Sequence, residues 1–281
     1  PMAGDNAKQI ADWNGAVGAH WAAEQEKNDR LIKAFGEAAL SAVGARAGER
    51  VLDVGCGCGD TSLALAGRVG AMGRVVGVDV SAAMLDVAQQ RADGRDNLTF
   101  IEADASRAEL PGPFDLLYSR FGVMFFDEPE AAFRHMRTAM KDGGRLAFAC
   151  WQKPQDNPWA MVPMLAAREA SGLDLSPPDP HAPGPFAFAD AGRVKAILEA
   201  AGFGAVKAET FEAPMFLGST VKSAAIGCTK MGPASRIARE AGKERLPAIT
   251  DAIEAALAPF AGADGSVALP GRIWVVTANA V

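Results

Sequence analysis

The sequence predicts an α/β fold, doubly wound about a mostly parallel sheet, and three observations carry that prediction. The first is residues 51–59, Val-Leu-Asp-Val-Gly-Cys-Gly-Cys-Gly, where a buried-strand pattern runs into glycines at every second position. The second is the stretch from residue 60 to residue 79. Asp60-Thr61-Ser62 open an apolar helical run, and the next strand, Arg74 to Asp79, ends in an acid twenty residues past Gly59. The third is the alternation of strand and helix patterns after residue 48, which implies parallel strands with crossover helices on both faces.

Taken in order, residues 1–47 read as helical, with Leu31, Ile32, Phe35 and Ala39 as an apolar stripe. Strands are expected at 50–55, 74–80, 98–104, 114–121 and 145–151, with helices near 60–69, 81–91 and 129–141. Ser81 fits the N-cap of the second of these helices, and Gly143-Gly144 fit the stop of the third. Asp190 opens a further helix with Val194, Ile197, Leu198 and Ala201 on one face, closed by Gly202. A strand near 205–213 and a last one from Arg272 to Ala278 bring the sheet to seven strands. Residues 152–189 hold many of the prolines and read as a lid, with Asn157-Pro-Trp159 as a helix start. Residues 219–262 read as a helical insertion, with Ile249, Ile253, Leu257 and Phe260 at helical spacing. Such additions cover the ligand end of an open sheet. The expectation is one domain over 1–281: a helical cap (1–47), a ligand-binding core (48–151), the lid (152–189), and a C-terminal part of the sheet (190–281) carrying the insertion.

Bulk properties narrow the function. The chain has 281 residues, of which 49% are hydrophobic, enough for a full core and against disorder. A net charge of −6 leaves no electrostatic footprint for nucleic acid. No apolar run approaches a membrane span and no signal peptide precedes the first helix, so no stable membrane insertion is expected. Cys56 and Cys58 lie in the glycine loop, while Cys150 and Cys228 lack close partners. No second pair or nearby histidine completes a metal site, so no metal is expected and the protein reads as reduced and cytoplasmic. The oligomeric state is not encoded in any pattern.

The loop carries the chemistry. Glycine lets backbone N–H groups approach a ligand, and a helix N-terminus across the loop favours a carboxylate or phosphate. An acid at the end of the next strand can take the two hydroxyls of a ribose. The spacing here is G-x-G-x-G rather than the G-x-G-x-x-G of a dinucleotide site. Asp53, two residues before Gly55, faces an amine-bearing ligand and repels a pyrophosphate.

These residues resemble the first motif of the class I S-adenosylmethionine (SAM) methyltransferases, a Rossmann-like fold, over roughly residues 48–151 and the final two strands. The resemblance implies SAM as the cofactor. It implies that Gly55, Cys56 and Gly57 give backbone contacts to the methionine part, and that Asp53 lies near its amino group. Asp79 matches the ribose-binding acid, with Val80 and Met84 flanking the adenine. Asp104 matches the acid that accepts from the adenine amine, beside the N–H of Ala105. Ser119, Arg120 and Phe121 follow the fourth strand, where sulfonium and substrate meet in this family. Within the superfamily the chain is most similar to the ubiquinone/menaquinone C-methyltransferases. Asp12-Trp-Asn14 and Gly18-Ala-His-Trp21 echo their N-terminal signature, and Lys141-Asp-Gly-Gly-Arg-Leu-Ala-Phe148 repeats their pattern before the fifth strand. Cys150 and Trp151 stand where those enzymes carry an acid and a serine, and the insertions are long, so the quinone acceptor is not carried over.

The expected function is therefore SAM-dependent methyl transfer to a small, apolar or aromatic metabolite. The alternatives are a SAM-binding enzyme of the same fold catalysing decarboxylation or cyclisation, a SAM-binding protein without catalysis, and a nicotinamide oxidoreductase, which the glycine spacing opposes. A nucleophile on the acceptor has a proton to lose, and His20 is the candidate base. His135 lies beside an apolar helix face, His181 lies among prolines, and Tyr118 reads as core with a pocket-edge hydroxyl as its second reading. Arg120, at the end of a buried strand, either binds substrate or pairs with an acid. Trp21, Phe121, Trp151, Trp159 and Phe186 are the candidate walls of an acceptor pocket, or the glue between cap and core. Neither the acceptor nor the atom methylated (C, N, O or S) can be read from these residues.

Overall fold

The computed structural model describes residues 6–174 and 179–281, so residues 175–178 of the expected lid lie outside it. Three helices open the chain: α1 (Ala7–Asn14), α2 (Ala16–Ala23) and α3 (Gln25–Val43). The core then runs β1 (Arg50–Val54), α4 (Asp60–Val69), β2 (Arg74–Asp79), α5 (Ala82–Arg91), β3 (Leu98–Glu102), β4 (Phe114–Arg120), α6 (Pro129–Thr138) and β5 (Met140–Trp151). After it come α7 (Pro158–Ser171), α8 (Ala191–Ala200), β6 (Phe203–Gly218), α9 (Val221–Cys228), α10 (Pro233–Ala241), α11 (Leu246–Leu257) and β7 (Val267–Ala280).

The seven strands form one mostly parallel sheet in the order β3-β2-β1-β4-β5-β7-β6. β1, β2, β3, β4 and β5 pair in parallel, in register Leu52↔Val76 and Leu52↔Leu117 across the centre. Val51, Leu52, Leu116 and Leu117 are wholly buried, as parallel strands covered on both faces should be. Strand order reverses between β1 and β4, so the crevice beyond their C-terminal ends is the switch point where open α/β sheets bind ligands. On α3 the stripe Leu31, Ile32, Phe35 and Ala39 is buried, and this helix packs on β4.

Several boundaries differ from the sequence reading. The helix expected over 129–141 ends at Thr138, and Gly143-Gly144 do not stop it; they lie inside β5. The cause is Phe114, whose N–H donates to the Ala139 carbonyl and which pairs with Met140, starting β5 early; a register shift then absorbs the glycines. β6 and β7 are longer than the expected 205–213 and 272–278. Ser81 does precede α5, but its hydroxyl caps nothing and is buried without a partner. Asn14 takes over, its Oδ1 accepting from the Ala82 N–H at 3.1 Å and its Nδ2 donating to the Val80 carbonyl at 2.7 Å. Asp190 does cap α8, accepting from the N–H groups of Gly192 and Arg193.

The chain forms two compact units, with the boundary falling inside β6 and β7. One is drawn from Pro1–Cys150, His181–Phe211 and Ile273–Val281, the other from Trp151–Pro180 and Glu212–Arg272. In the second unit α7 packs on α10 and α11, and Ile249, Ile253 and Leu257 are fully buried. Phe260, expected on the same stripe, is 43% exposed because α11 ends at Leu257 and a 3₁₀ turn with Pro259 redirects the chain. Asn157 is the polar centre of this unit. Its Nδ2 reaches the carbonyls of Gln152, Lys153 and Arg272, and its Oδ1 accepts from the Arg272 N–H and Trp159 Nε1.

Candidate functional site

The glycine loop occupies the switch point. Gly55 has φ 67°, and a Cβ there would stand 2.8 Å from the Cα of Gly122, in the turn after β4. The converse also holds, since a Cβ on Gly122 would meet the Val54 carbonyl oxygen at 2.7 Å and the Gly55 Cα at 3.0 Å. Two bare backbones thus touch where β1 and β4 leave the sheet. Ser119 stitches them, its hydroxyl donating to the Val54 carbonyl at 2.7 Å and accepting from the Gly122 N–H at 3.2 Å.

Three acids stand at or beyond the ends of β1, β2 and β3. Asp53 is fully buried, and its Oδ2 accepts from the hydroxyls of Thr61 at 2.8 Å and Ser62 at 2.6 Å, both in the first turn of α4. Its Oδ1 is buried without a partner. Burial pushes this carboxyl up to about 6, against the pull of the two hydroxyls. Asp79 accepts from the N–H of Gly57 at 2.8 Å and of Ser81 at 2.9 Å, tying the loop to the end of β2; burial raises its carboxyl too. Asp104 accepts on Oδ1 from the Ser106 N–H and Asn6 Nδ2. Its Oδ2 is buried without a hydrogen bond, with Arg107 Nε 3.5 Å away. Ala105 and Met84 are buried beside these acids and Val80 is half-buried. Cys56 and Cys58 are free and buried, and burial lifts both thiols, Cys58 to about 11, so neither is a thiolate. Among the described residues no cluster of three or more His, Cys, Asp or Glu is placed to hold a metal.

The acceptor candidates are distributed unevenly. Arg120 is 9% exposed and pairs with acids: Nη1 reaches Asp60 at 2.8 Å and Nη2 reaches Asp29 at 3.2 Å. Tyr118 is core, its hydroxyl donating to the Gly36 carbonyl at 3.0 Å. Phe121 has φ 59°, an outlier for a bulky residue, and packs edge-on against Phe35. His20 and Trp21 are half-buried on α2, and Trp21 meets Trp13, which meets Phe125. Phe186 is half-buried in the first unit. Trp151 and Trp159 are buried in the second unit with centroids 4.7 Å apart. His135 is a boundary residue, its Nε2 2.8 Å from the Ala108 carbonyl.

Sequence reasoning missed Gly122, Thr61, Ser62, Asn6 and Asn14. Asn6 bridges, donating to Asp104 and accepting from the Asp127 N–H. With Asn14 at the other end, it pins α1 to the segments after β2, β3 and β4.

A family model described as a methyltransferase domain matches residues 51–144. The ubiquinone/menaquinone biosynthesis C-methyltransferase UbiE of Cellvibrio japonicus is 35% identical over 131 residues, 45% of this chain and 51% of that protein. The chain thus spans about half the length of the curated relatives it matches. The YcgJ protein of Bacillus subtilis shares the fold at a TM-score of 0.58 and 18% identity, over 88% of this chain and 98% of that one. So does phosphoethanolamine N-methyltransferase 2 of Haemonchus contortus, solved with S-adenosyl-L-methionine, at 0.54 and 17%, over 87% and 52%. The G-x-G-x-G loop and the acids at the ends of β1 and β2 and just beyond β3 thus all lie within the stretch of this chain that matches a methyltransferase domain.

Proposed function

We propose that the chain transfers the methyl group of SAM to a small apolar or aromatic metabolite. The observation that carries this reading is the pair of buried acceptors without hydrogen bonds, Asp53 Oδ1 and Asp104 Oδ2, on either side of Asp79. A buried acceptor without a hydrogen bond is costly, Asp53 Oδ1 most of all since Asp104 Oδ2 has Arg107 Nε at 3.5 Å, and a ligand with an amine at each end satisfies both. SAM has an ammonium at one end and the adenine amine at the other, and it supplies an electrophilic methyl on sulfur. Asp53 receives the ammonium, and the start of α4 is turned to the carboxylate; the N–H groups of Gly55 and Cys56, expected to make that contact, donate to the Val78 carbonyl, and that of Gly57 donates to Asp79. Asp79 accepts from the ribose hydroxyls while holding Gly57. Val80 and Met84 flank the adenine, whose edge meets Asp104 and Ala105. Ser119 acts by fixing the loop.

The transfer is an in-line displacement, so the protein's work is to position the acceptor and exclude water. Trp21, Phe121 and Phe186 are the apolar surfaces of the first unit for that task, while Trp151 and Trp159 pack on each other within the second unit. His20 is the group on α2 that takes the acceptor's proton. Arg120 works through the acids it holds. A small acceptor rather than nucleic acid suits the charge of −6. A cytoplasmic setting suits four free, buried cysteines. Among the described residues no helix is long and apolar enough to cross a membrane.

The test is calorimetry with SAM, its demethylated product S-adenosylhomocysteine and NAD, followed by incubation of labelled SAM with a metabolite extract. The expectation is binding of the first two, none of NAD, and label on an acceptor. NAD binding without SAM binding overturns the reading. SAM binding with an acceptor changed but unlabelled points to decarboxylation or cyclisation instead.

A further inference from the structure

Four charged side chains close a ring beside the glycine loop. Arg91, at the end of α5, reaches Asp29 on α3 at 3.0 Å and Asp60 at 3.4 Å. Arg120, at the end of β4, reaches the same two acids from the other side. The charges alternate and sum to zero, and all four side chains are no more than a third exposed. The ring also holds the loop, because Arg91 Nη1 donates to the Cys58 carbonyl at 2.6 Å. Gly36 leaves room for it, since a Cβ there would stand 2.7 Å from Arg120 Cδ.

Asp60 gives the ring its purpose. It is the first residue of α4, the helix whose N-terminus closes the loop. An acid at that position stabilises the helix, yet it is the wrong sign beside a bound carboxylate. The N-terminal N–H groups attract an anion only as far as Asp60 is neutralised by its neighbours.

We infer that the Asp29–Arg91–Asp60–Arg120 ring is a charge-balancing device that lets the start of α4, beside the buried and unpartnered Asp53 Oδ1, accept the carboxylate of an amino-acid tail, so that Arg91 and Arg120 set specificity for ligands bearing that tail over truncated nucleosides. The inference rests on the SAM reading above and deepens it. Removing Arg91 leaves one uncompensated negative charge at the ring, which repels the tail and leaves the adenosine contacts at Asp79 and Asp104 alone.

The experiment measures affinities of the intact chain for S-adenosylhomocysteine and for 5′-methylthioadenosine, which keeps the adenosine and lacks the amino-carboxylate tail. In Arg91→Gln the first is expected to weaken about tenfold and the second less than about twofold. Arg91→Lys, which keeps the charge, should stay within about threefold of the parent for both. Arg91→Gln combined with Asp60→Asn restores neutrality and should recover most of the lost affinity. Parallel weakening for both ligands, or no weakening for either, overturns the inference, as does a double variant weaker than the single one. If the parent binds neither ligand, the SAM reading itself has failed, which is a different result.

Discussion

β1 and β4 are neighbours in the sheet, and each leaves it through a residue with positive φ: Gly55 at 67° and Phe121 at 59°. Glycine takes that conformation freely, whereas a bulky residue there costs about 1–3 kcal/mol. Phe121 is held by its N–H, which donates to the Ala149 carbonyl at 3.1 Å, and by Phe35. After β1, then, the chain has removed side chains so that backbone can come close. After β4 it keeps a large one at a conformational cost. A half-site built on bare backbone tolerates no added atom, and a half-site built on a strained ring tolerates its loss.

The largest effect should come from filling the bare contact. Gly122→Val places a Cβ against backbone atoms of Val54 and Gly55 that cannot move aside. A stability loss of about 3 kcal/mol or more and loss of S-adenosylhomocysteine binding are expected, read by thermal unfolding and calorimetry. A variant that binds like the parent breaks the comparison at its root.

Asp53→Asn sharpens the β1 side through pH. The folded-state carboxyl sits at about 6, above the ~3.9 of an exposed aspartate. The folded protein therefore binds a proton that the unfolded chain has released, and stability falls as pH rises from about 4 to about 6, by roughly 2–3 kcal/mol in all. Replacing the acid by asparagine should flatten that slope in urea titrations. Affinity for S-adenosylhomocysteine should rise through the same window in the parent, where the carboxylate forms, and not in the variant. A variant with the parent's slope moves the titration to another acid.

Asp79→Ala removes the acceptor for the Gly57 N–H and the one proposed for the ribose hydroxyls. A loss of about 1.5–3 kcal/mol in cofactor affinity is expected, with the fold intact by circular dichroism. Unchanged affinity would place the ribose elsewhere.

The smallest effect on stability belongs to the β4 side. In Phe121→Gly the relief of positive φ offsets the lost ring contact, leaving a net change within about 1 kcal/mol. S-adenosylhomocysteine binding should hold within about twofold. Turnover, once an acceptor is in hand, should fall about tenfold if the ring walls the acceptor. A fall in cofactor affinity as large as that in turnover assigns Phe121 to the loop instead.

Most of the loop and acids proposed to hold the cofactor were legible because their signals are local. Val51 to Gly59 states a strand and a turn within nine residues, and the acids at 53, 79 and 104 stand where strands 1, 2 and 3 end. What escaped was long-range. Asn14 caps α5 from 68 positions away, and no spacing rule links it to Ser81, which looked sufficient. Asn6 meets Asp104 across 98 residues. Gly122 is one glycine among many in the sequence, and only its contact with Gly55 sets it apart. Thr61 and Ser62 had a visible signal, since hydroxyls in the first turn of a helix can face a preceding acid. The aromatics proposed for the acceptor lie on separate segments, and composition alone does not say which of them share a wall.

The place of β7 bears on the order in which the molecule can be completed. It lies between β5 and β6, although β6 precedes it in the chain. As the chain leaves the ribosome, β1 to β5 can pair as each is made, but β6 has no neighbour to join until residues 267–280 have emerged. The helices between them, α9 to α11, are synthesised during that interval. Strand β7 is thus a keystone, and a transcript cut short before it should yield a folded five-stranded sheet with the β5 edge left bare and 203–218 unattached, a target for proteolysis rather than a smaller working protein.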